Sequence, residues 1–174
     1  GSCFPKDVKA LIKTADKYGY SMSVLKAVES VNEKQKTVLF EKLYNYYEGN
    51  LKGKTIALWG LAFKPETDDM REATSLVTIK LLLKEGCKVV VYDPIAMQEC
   101  MRRIGEVVTY ANNMYDCVFN ADALLLLTEW KIFRLPKWNV LKERMVVPLL
   151  IDGRNLYDHN EVISNGIIYM SIGS

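Results

Sequence analysis

The feature that most constrains the fold is an alternation of short apolar runs with longer helical segments between residues 55 and 169. The runs lack the polar alternation of a half-exposed strand, which is typical of strands buried on both faces of a parallel sheet. Strands that alternate with helices at this spacing predict an α/β fold, a doubly wound parallel sheet of the Rossmann-like type. The predicted strands are 55–59, 88–92, 107–109, 123–127, 147–151 and 166–169, and the predicted helices between them are 74–85, 96–104, 112–119 and part of 133–143.

The first 50 residues have a different pattern, which is helical throughout. Apolar residues at helical spacing predict a helix over 7–18 that ends at Gly19, with Pro5 suited to its first turn. A second apolar stripe then continues to residue 47, and a helix of about 25 residues would be about 37 Å long. We interpret it as a long connecting helix, either a spine between domains or a dimer surface; an ordinary core helix is the alternative. The sequence therefore divides into 1–50 and a sheet domain over 51–174.

Composition excludes several classes of partner. The chain has 23 basic and 21 acidic residues and no long basic run, so we expect neither nucleic acid nor a membrane surface as a partner. The longest apolar runs fall far short of the roughly 20 residues that cross a bilayer. Four cysteines form no CxxC pair and His159 is the single histidine, so we expect no metal site and free thiols in a reducing cytoplasm.

A candidate nucleophile lies at the start of the chain. Cys3 precedes a predicted helix, where unpaired N–H groups and the helix dipole lower the pKa of a thiol. Lys6 adds a positive charge nearby, and Asp7, one turn on, is placed to act as a base. The alternative is a small buried thiol beside a carboxylate that caps the helix.

A charged loop over 60–72 follows the first predicted strand. Gly60 ends the strand as in a dinucleotide fold, but no G-x-G-x-x-G follows it. Lys64 instead offers a point charge for a phosphate, and Arg71 a planar fork. The loop therefore predicts a phosphate site, with a merely solvated charged loop as the alternative.

Three other strand ends on the same predicted edge carry polar residues. Asp93 stands where Rossmann proteins place a ribose-binding acid, although Pro94 makes a turn equally compatible. The segment 128–130, Thr-Glu-Trp, either lines the pocket or caps a helix. Arg154 either reaches a phosphate or sugar or forms a structural salt bridge.

Taken in order, these motifs resemble those of the UDP-glucose/GDP-mannose dehydrogenase family. They span essentially the whole chain, so the ordered set is more specific than any one motif. The matching segments are Gly-Ser-Cys-Phe-Pro-Lys-Asp at 1–7, the helical segment 31–35, Gly-Leu-Ala-Phe-Lys-Pro-Glu-Thr-Asp-Asp-Met-Arg-Glu at 60–72, Thr-Glu-Trp at 128–130 and Asp-Gly-Arg-Asn at 152–155.

The resemblance implies an NAD-dependent oxidoreductase that oxidises the C6 alcohol of a sugar nucleotide twice. Cys3 would attack the aldehyde to form a thiohemiacetal, whose oxidation gives a thioester, and Asp7 would assist proton transfer or activate the water that releases the carboxylate. The segment from Cys3 to Lys6 would border the nicotinamide, and Arg71 would reach the NAD of another domain.

The resemblance also assigns substrate contacts and an assembly. Phe63, Lys64 and Arg154 match sugar-nucleotide contacts, which makes 51–174 a UDP-sugar-binding domain, and 1–50 matches the end of a central domain. The long helix implies a homodimer. Within the family, the motifs match the members that act on UDP-glucose best. The resemblance therefore implies UDP-glucose as substrate, in a cytoplasmic enzyme of polysaccharide biosynthesis. Because the family's N-terminal NAD domain has no counterpart here, we expect a C-terminal portion that is inactive alone.

Three alternatives stay open. Within the family, the chain is alternatively a portion of a GDP-mannose or UDP-N-acetylhexosamine dehydrogenase. Outside catalysis, it is alternatively a nucleotide-binding or dimerisation module on the same fold. A thiol hydrolase would need a histidine base, for which His159 is the one candidate in the sequence.

Overall fold

The computed structural model describes the backbone of residues 3–173 and the side chains of residues 7–173. Its centre is a six-stranded sheet in which every neighbouring pair of strands is parallel. The strands are β1 Thr55–Trp59, β2 Lys88–Tyr92, β3 Thr109–Tyr110, β4 Ala123–Leu126, β5 Leu149–Asp152 and β6 Ile168–Ser171.

The strand order confirms the predicted doubly wound sheet. The strands run β3-β2-β1-β4-β5-β6, so the chain winds outward from β1 in one direction and then returns to continue from β4 in the other. The point where the order reverses lies between β1 and β4. In open parallel sheets, ligands bind outside the carboxyl ends of the strands at such a switch point.

Helices cover both faces of the sheet. The helices α3, α4 and α5 pack with one buried cluster, and α6, α7 and α8 pack with the other. Their bounds, with those of the two N-terminal helices, are α1 Cys3–Lys17, α2 Ser23–Gln35, α3 Val38–Tyr46, α4 Thr74–Lys84, α5 Met97–Ile104, α6 Met114–Cys117, α7 Trp138–Arg144 and α8 His159–Ser164.

Both faces of the central strands are buried, which explains why the apolar runs show no alternation. In β1, Ile56 and Leu58 belong to the cluster on one face, whereas Ala57 and Trp59 belong to the cluster on the other. Successive side chains of a strand point to opposite faces, so a strand covered on both sides needs apolar residues at every position. The Trp59 ring stacks on Phe133, with 4.9 Å between ring centroids.

The long connecting helix is not one continuous helix, which corrects the prediction. It is divided into α2 and α3 at residues 36–37, where the backbone N–H groups of Lys36 and Thr37 bond three residues back instead of four. The Thr37 hydroxyl donates to the Lys34 carbonyl at 2.7 Å and so competes with the helical bond. Burial changes at the same point, because α2 has no buried residue whereas α3 buries Leu39 and Leu43.

Several helices begin or end at residues other than those predicted. The helix α1 begins at Cys3 rather than at residue 7, and α6 begins only after Asn113, whose side chain caps it. The segment 133–143 is helical in part, as predicted: a 3-10 turn over Lys131–Phe133 leads into it, and α7 forms its second half. The short α8, capped by Asp158, was not predicted. No helix of the described residues is both long enough and apolar enough to span a membrane.

Gly60 determines how closely the chain segments after β1 and β4 approach. Its φ is +89°, and a Cβ at this position would lie 2.4 Å from the Cβ of Thr128 and 2.6 Å from the Thr128 backbone nitrogen. Any side chain would therefore force backbone movement as well as adopt an unfavourable φ. Thr128 is fully buried, and its hydroxyl donates to the Ala62 carbonyl at 2.6 Å.

We expect Gly60→Ala to lower the free energy of unfolding more than Gly53→Ala does. Gly53 is the matched control, because its φ is +80° but nothing lies within 4 Å of an added Cβ. Gly53→Ala should cost roughly 1–2 kcal/mol from the left-handed backbone, and Gly60→Ala about 1–3 kcal/mol more from overpacking. Urea denaturation curves measure both values. Equal destabilisation would contradict the close approach at Thr128.

Candidate ligand site at the switch point of the sheet

Arg154 joins the segments that follow β1, β4 and β5. Its Nε donates to the Leu127 carbonyl at 2.8 Å, and one terminal nitrogen donates to the Phe63 carbonyl at 3.0 Å. Its own backbone N–H donates to buried Asp152. The guanidinium is therefore held in place at the carboxyl edge of the sheet by backbone groups, and its side chain stays 34% exposed.

Glu129 supplies the counter-charge to Arg154. Its Oε2 lies 2.9 Å from Nε. That N–H points to the Leu127 carbonyl, and Oε2 is buried without a well-aligned hydrogen bond among the described residues. The contact is therefore mainly electrostatic. Of the two alternatives for Arg154, the salt bridge is present, and it leaves part of the guanidinium accessible.

Asp93 has a structural role at the end of β2. One carboxylate oxygen accepts the backbone N–H groups of Leu61 and Ala62, at 2.7 and 3.3 Å, and the indole N–H of Trp130 at 3.0 Å. The other oxygen accepts the N–H groups of Ile95 and Ala96. The side chain is 1% exposed. Five donors thus fill both oxygens and tie together the segments after β1, β2 and β4.

This arrangement does not fit a dinucleotide bound by the sheet itself. The carboxylate that would accept ribose hydroxyls is buried and fully used, and no glycine-rich turn follows β1. Gly60 instead packs against Thr128, where the backbone would have to approach a pyrophosphate. Of the alternatives for Asp93, the turn is the one observed.

The loop after β1 is closed on itself and carries two cations. The Phe63 N–H donates to the Asp69 carbonyl at 3.1 Å, which brings the ends of 63–69 together. Lys64 is exposed, with its Nζ 5.5 Å from the centre of the Phe63 ring. Arg71 forms a bidentate pair with the Asp69 carboxylate, at 2.9 and 2.8 Å. The structure therefore brings Phe63, Lys64 and Arg154 together, and Arg71 lies at the far end of the same loop.

A cleft of about 350 Å³ opens beside Arg154, between the ends of α2 and α3 and the segments after β4 and β5. One cation, amide and hydroxyl groups and apolar walls are the mixture that recognises a polar, anionic organic ligand. The lining includes Gln35, Leu39, Thr74, Leu127, Arg154 and Asn155.

The predicted catalytic residues belong to α1. The backbone of Cys3 and Lys6 belongs to the first turn of α1, and their side chains are outside the described part. Asp7 is exposed and is not among the residues that line the cleft. Asp7 and Arg154 therefore do not line the same cleft among the described residues.

The other three cysteines are unsuited to nucleophilic chemistry. All are buried, and burial raises the pKa of each, to about 11 for Cys87. The Cys87 and Cys117 thiols donate to backbone carbonyls, and Cys100 accepts from Tyr110. Among the side chains of residues 7–173, no group of three or more His, Cys, Asp or Glu could hold a metal ion.

The sequence analysis did not predict the roles of two charged residues in and around the site, Glu129 and Glu72. The pairing of Glu129 with Arg154 is signalled only by the position of both after neighbouring strands. Glu72 ends the charged loop and binds lysines of α1 and α2, for which the sequence carries no local signal.

Comparison with known proteins shows which family the chain belongs to. Residues 57–159 match the UDP binding domain of the UDP-glucose/GDP-mannose dehydrogenase family, and residues 1–34 match its central domain. The chain belongs to this family. The resemblance read from the motifs is thereby confirmed.

Individual family members are similar to this chain over nearly its whole length. UDP-glucose 6-dehydrogenase of Pseudomonas aeruginosa is 48% identical over 178 residues, covering 99% of this chain but 39% of that protein. UDP-glucose 6-dehydrogenase TuaD of Bacillus subtilis is 42% identical, covering 99% and 37%. A UDP-glucose dehydrogenase structure from Pyrobaculum islandicum has a TM-score of 0.83 at 32% identity, covering 97% and 36%. The chain therefore spans less than two fifths of the length of these relatives.

We expect Asp93→Asn to destabilise the fold strongly. One carboxylate oxygen would become an NH2 group, which cannot accept the N–H groups that face it, so these buried donors would lose their acceptor. The cost should be about 2–4 kcal/mol in urea denaturation, with a shift in the fluorescence of Trp130. Asp158→Asn is the matched control, since Asp158 is an exposed helix N-cap and Asn caps a helix equally well. Similar stability of the two variants would contradict the structural role of Asp93.

Proposed function

We propose that the chain is the C-terminal, UDP-binding portion of a UDP-glucose 6-dehydrogenase, which oxidises UDP-glucose to UDP-glucuronate with NAD. The single observation that supports this most is the Arg154 guanidinium, held at the carboxyl edge of the sheet, beside the cleft, by carbonyl groups of two loops. The similarity to proteins of that name over 99% of this chain supports the choice of substrate.

In this proposal the diphosphate of UDP-glucose binds to Lys64 and Arg154. Both are cations at the carboxyl edge of the sheet, and both approach Phe63: Arg154 donates to its carbonyl group, and the Lys64 ammonium lies 5.5 Å from the centre of its ring. Arg154 suits the task because its position is set before the ligand arrives, so little ordering is needed on binding. The Glu129 charge beside it keeps the arginine paired in the absence of ligand.

Cys3 is the proposed nucleophile and Asp7 the proposed base. The helix α1 begins at Cys3, so the thiol belongs to a helix N-terminus that favours a thiolate. The thiolate would add to the C6 aldehyde to form a thiohemiacetal. At the thioester stage, Asp7 would take a proton from the water that releases the carboxylate. The buried state of the other cysteines agrees with this assignment.

NAD accepts the hydrides in this family, but the sheet described here does not fit it. We therefore propose that NAD is bound by the part of a longer protein that this chain does not span. Cys3, Lys6 and Arg71 would border it from this side. Residues 1–50 would then be the end of the central domain and 51–174 the UDP-sugar-binding domain.

We propose a homodimer formed through α2 and α3. The helix α2 buries no residue against the described chain, and its Val24 and Val31 side chains are 76% and 63% exposed. A second copy of the chain is the partner that the family resemblance implies for this surface.

We expect Arg154→Met to weaken UDP binding by about 10–100-fold, the loss of charge-assisted hydrogen bonds worth about 1.5–3 kcal/mol. Isothermal titration calorimetry of the folded chain with UDP measures the change. Arg144→Met is the matched control, because Arg144 pairs with Asp116 at 2.9 Å on the other face of the sheet. Equal effects of both variants would contradict the proposed site, and tighter binding of GDP than of UDP would contradict the choice of UDP-glucose as substrate.

We expect no NADH from the 174-residue chain mixed with UDP-glucose and NAD, because the crevice after β1 is closed by the contact of Gly60 with Thr128. Absorbance at the NADH band measures this. A full-length protein that contains the chain should turn over, and Cys3→Ser in it should abolish the reaction. Turnover by the isolated chain would show that it holds the dinucleotide itself.

A further inference from the structure

Apolar packing contributes little to the position of α1 and α2 relative to the sheet. The helix α1 buries Val8 and Ile12, which belong to neither core cluster of the sheet domain. The helix α2 has no buried residue. The helix α2 is joined through residues 36–37 to α3, which is packed in the core, but among the described residues the core has no direct hold on α1.

A cluster of five charged side chains joins the two helices to the loop after β1, and we call it the Glu72 cluster. Lys36 donates to Glu72 at 2.7 Å, and Lys9 donates to both Glu72 oxygens at 3.3 Å. Glu33 accepts from both lysines, at 2.9 and 3.3 Å. Its members are Lys9, Glu29, Glu33, Lys36 and Glu72.

Glu72 is the member that belongs to the sheet domain. It ends the loop that carries Lys64 and Arg71, and it comes just before α4. Its φ is +58°, an uncommon conformation for a residue other than glycine. Such a conformation persists when surrounding contacts determine it, and here the carboxylate meets one lysine from α1 and one from the end of α2.

The ion pairs are favourable in this environment. The Lys36 side chain is 15% exposed, so its pair with Glu72 is screened less than a fully exposed pair. The hydrogen bond from Lys36 is the main reason that the pKa of Glu72 is lowered. Burial alone would lower the pKa of Lys36, but its bonds to Glu72 and Glu33 outweigh this effect and raise it.

We propose that Glu72 is a positioning residue that orients α1, and with it Cys3 and Asp7, relative to the loop that holds Lys64. This rests on the proposed function, in which the cations hold the diphosphate while Cys3 reaches C6 of the same ligand. The ligand spans only a limited range of distances between its diphosphate and C6, so the helix and the loop must keep a relative orientation that matches it. A displacement of about 1 Å is enough to slow such a reaction about 100-fold.

The orientation can be measured directly as a distance between spin labels at Cys3 and at Lys80→Cys, an exposed position on α4. The three other cysteines are buried and do not compete for the label. Double electron–electron resonance on the folded chain should give one narrow distance distribution. We expect Glu72→Gln and Lys36→Met to broaden or shift it, and 1 M salt to broaden that of the unsubstituted chain because screening then extends to about 3 Å.

Glu48→Gln is the matched control. Glu48 is likewise a glutamate with positive φ, +49°, and it is exposed, but the ion pairs of the described residues do not include it. Its distance distribution should match that of the unsubstituted chain. Unchanged distributions in both Glu72→Gln and Lys36→Met, with circular dichroism showing that both are folded, would overturn the proposal.

A second measurement separates this proposal from the proposed function. In a full-length protein that contains the chain, Glu72→Gln should lower kcat about 10-fold or more and leave the KM for UDP-glucose within about two-fold, since the diphosphate cations are untouched. A raised KM with normal kcat would overturn the positioning role. If the unsubstituted chain fails to bind UDP in calorimetry, the proposed function fails, whereas the distance measurement still tests whether Glu72 orients α1.

Discussion

The site depends on one buried carboxylate. Asp93 collects five N–H groups from the segments after β1, β2 and β4, and no charge of opposite sign is needed because the donors neutralise it. Buried charges are tolerated only when their hydrogen-bonding capacity is filled in this way. Once these segments are tied together, Gly60 packs on Thr128, and the loop that carries Phe63 and Lys64 leaves the sheet in a defined direction.

The same interaction explains why this Rossmann-like sheet lacks the usual features of a dinucleotide site. The acid that could bind ribose is used inside the protein, and the turn that could accept a pyrophosphate is closed. What the edge of the sheet offers instead is Arg154, fixed by two carbonyl groups and balanced by Glu129. The fold is thus retained, while its carboxyl edge presents a partly exposed guanidinium at which we propose that an anionic ligand of a different kind binds.

Two kinds of force hold the chain together, and they act in different places. Apolar side chains on both faces of the strands hold the sheet and its helices, as β1 shows. The N-terminal helices are instead joined to the sheet domain by the Glu72 cluster, whose members remain partly exposed. The core therefore does not rely on ion pairs that salt would screen, whereas the relation between α1 and the loop after β1 depends on charge.

The sequence by itself determined the class of fold, because an apolar run and the helix that follows it are local patterns. β1 and β2 have the predicted bounds, and the sheet is parallel and doubly wound as predicted. The motifs also pointed to Phe63, Lys64 and Arg154, which the structure brings together.

Only the tertiary structure decided what Asp93, Glu129 and Glu72 do. Three of the five donors to Asp93 lie 31 to 37 residues away along the chain, and only the turn donors Ile95 and Ala96 are local. Glu129 pairs with a residue 25 positions away, and the lysines that bind Glu72 lie 36 and 63 positions away. No local pattern encodes such pairings, since they exist only after the segments have packed. The division of the long helix at Thr37 was likewise decided by a side-chain bond to the backbone and by where burial against the sheet begins.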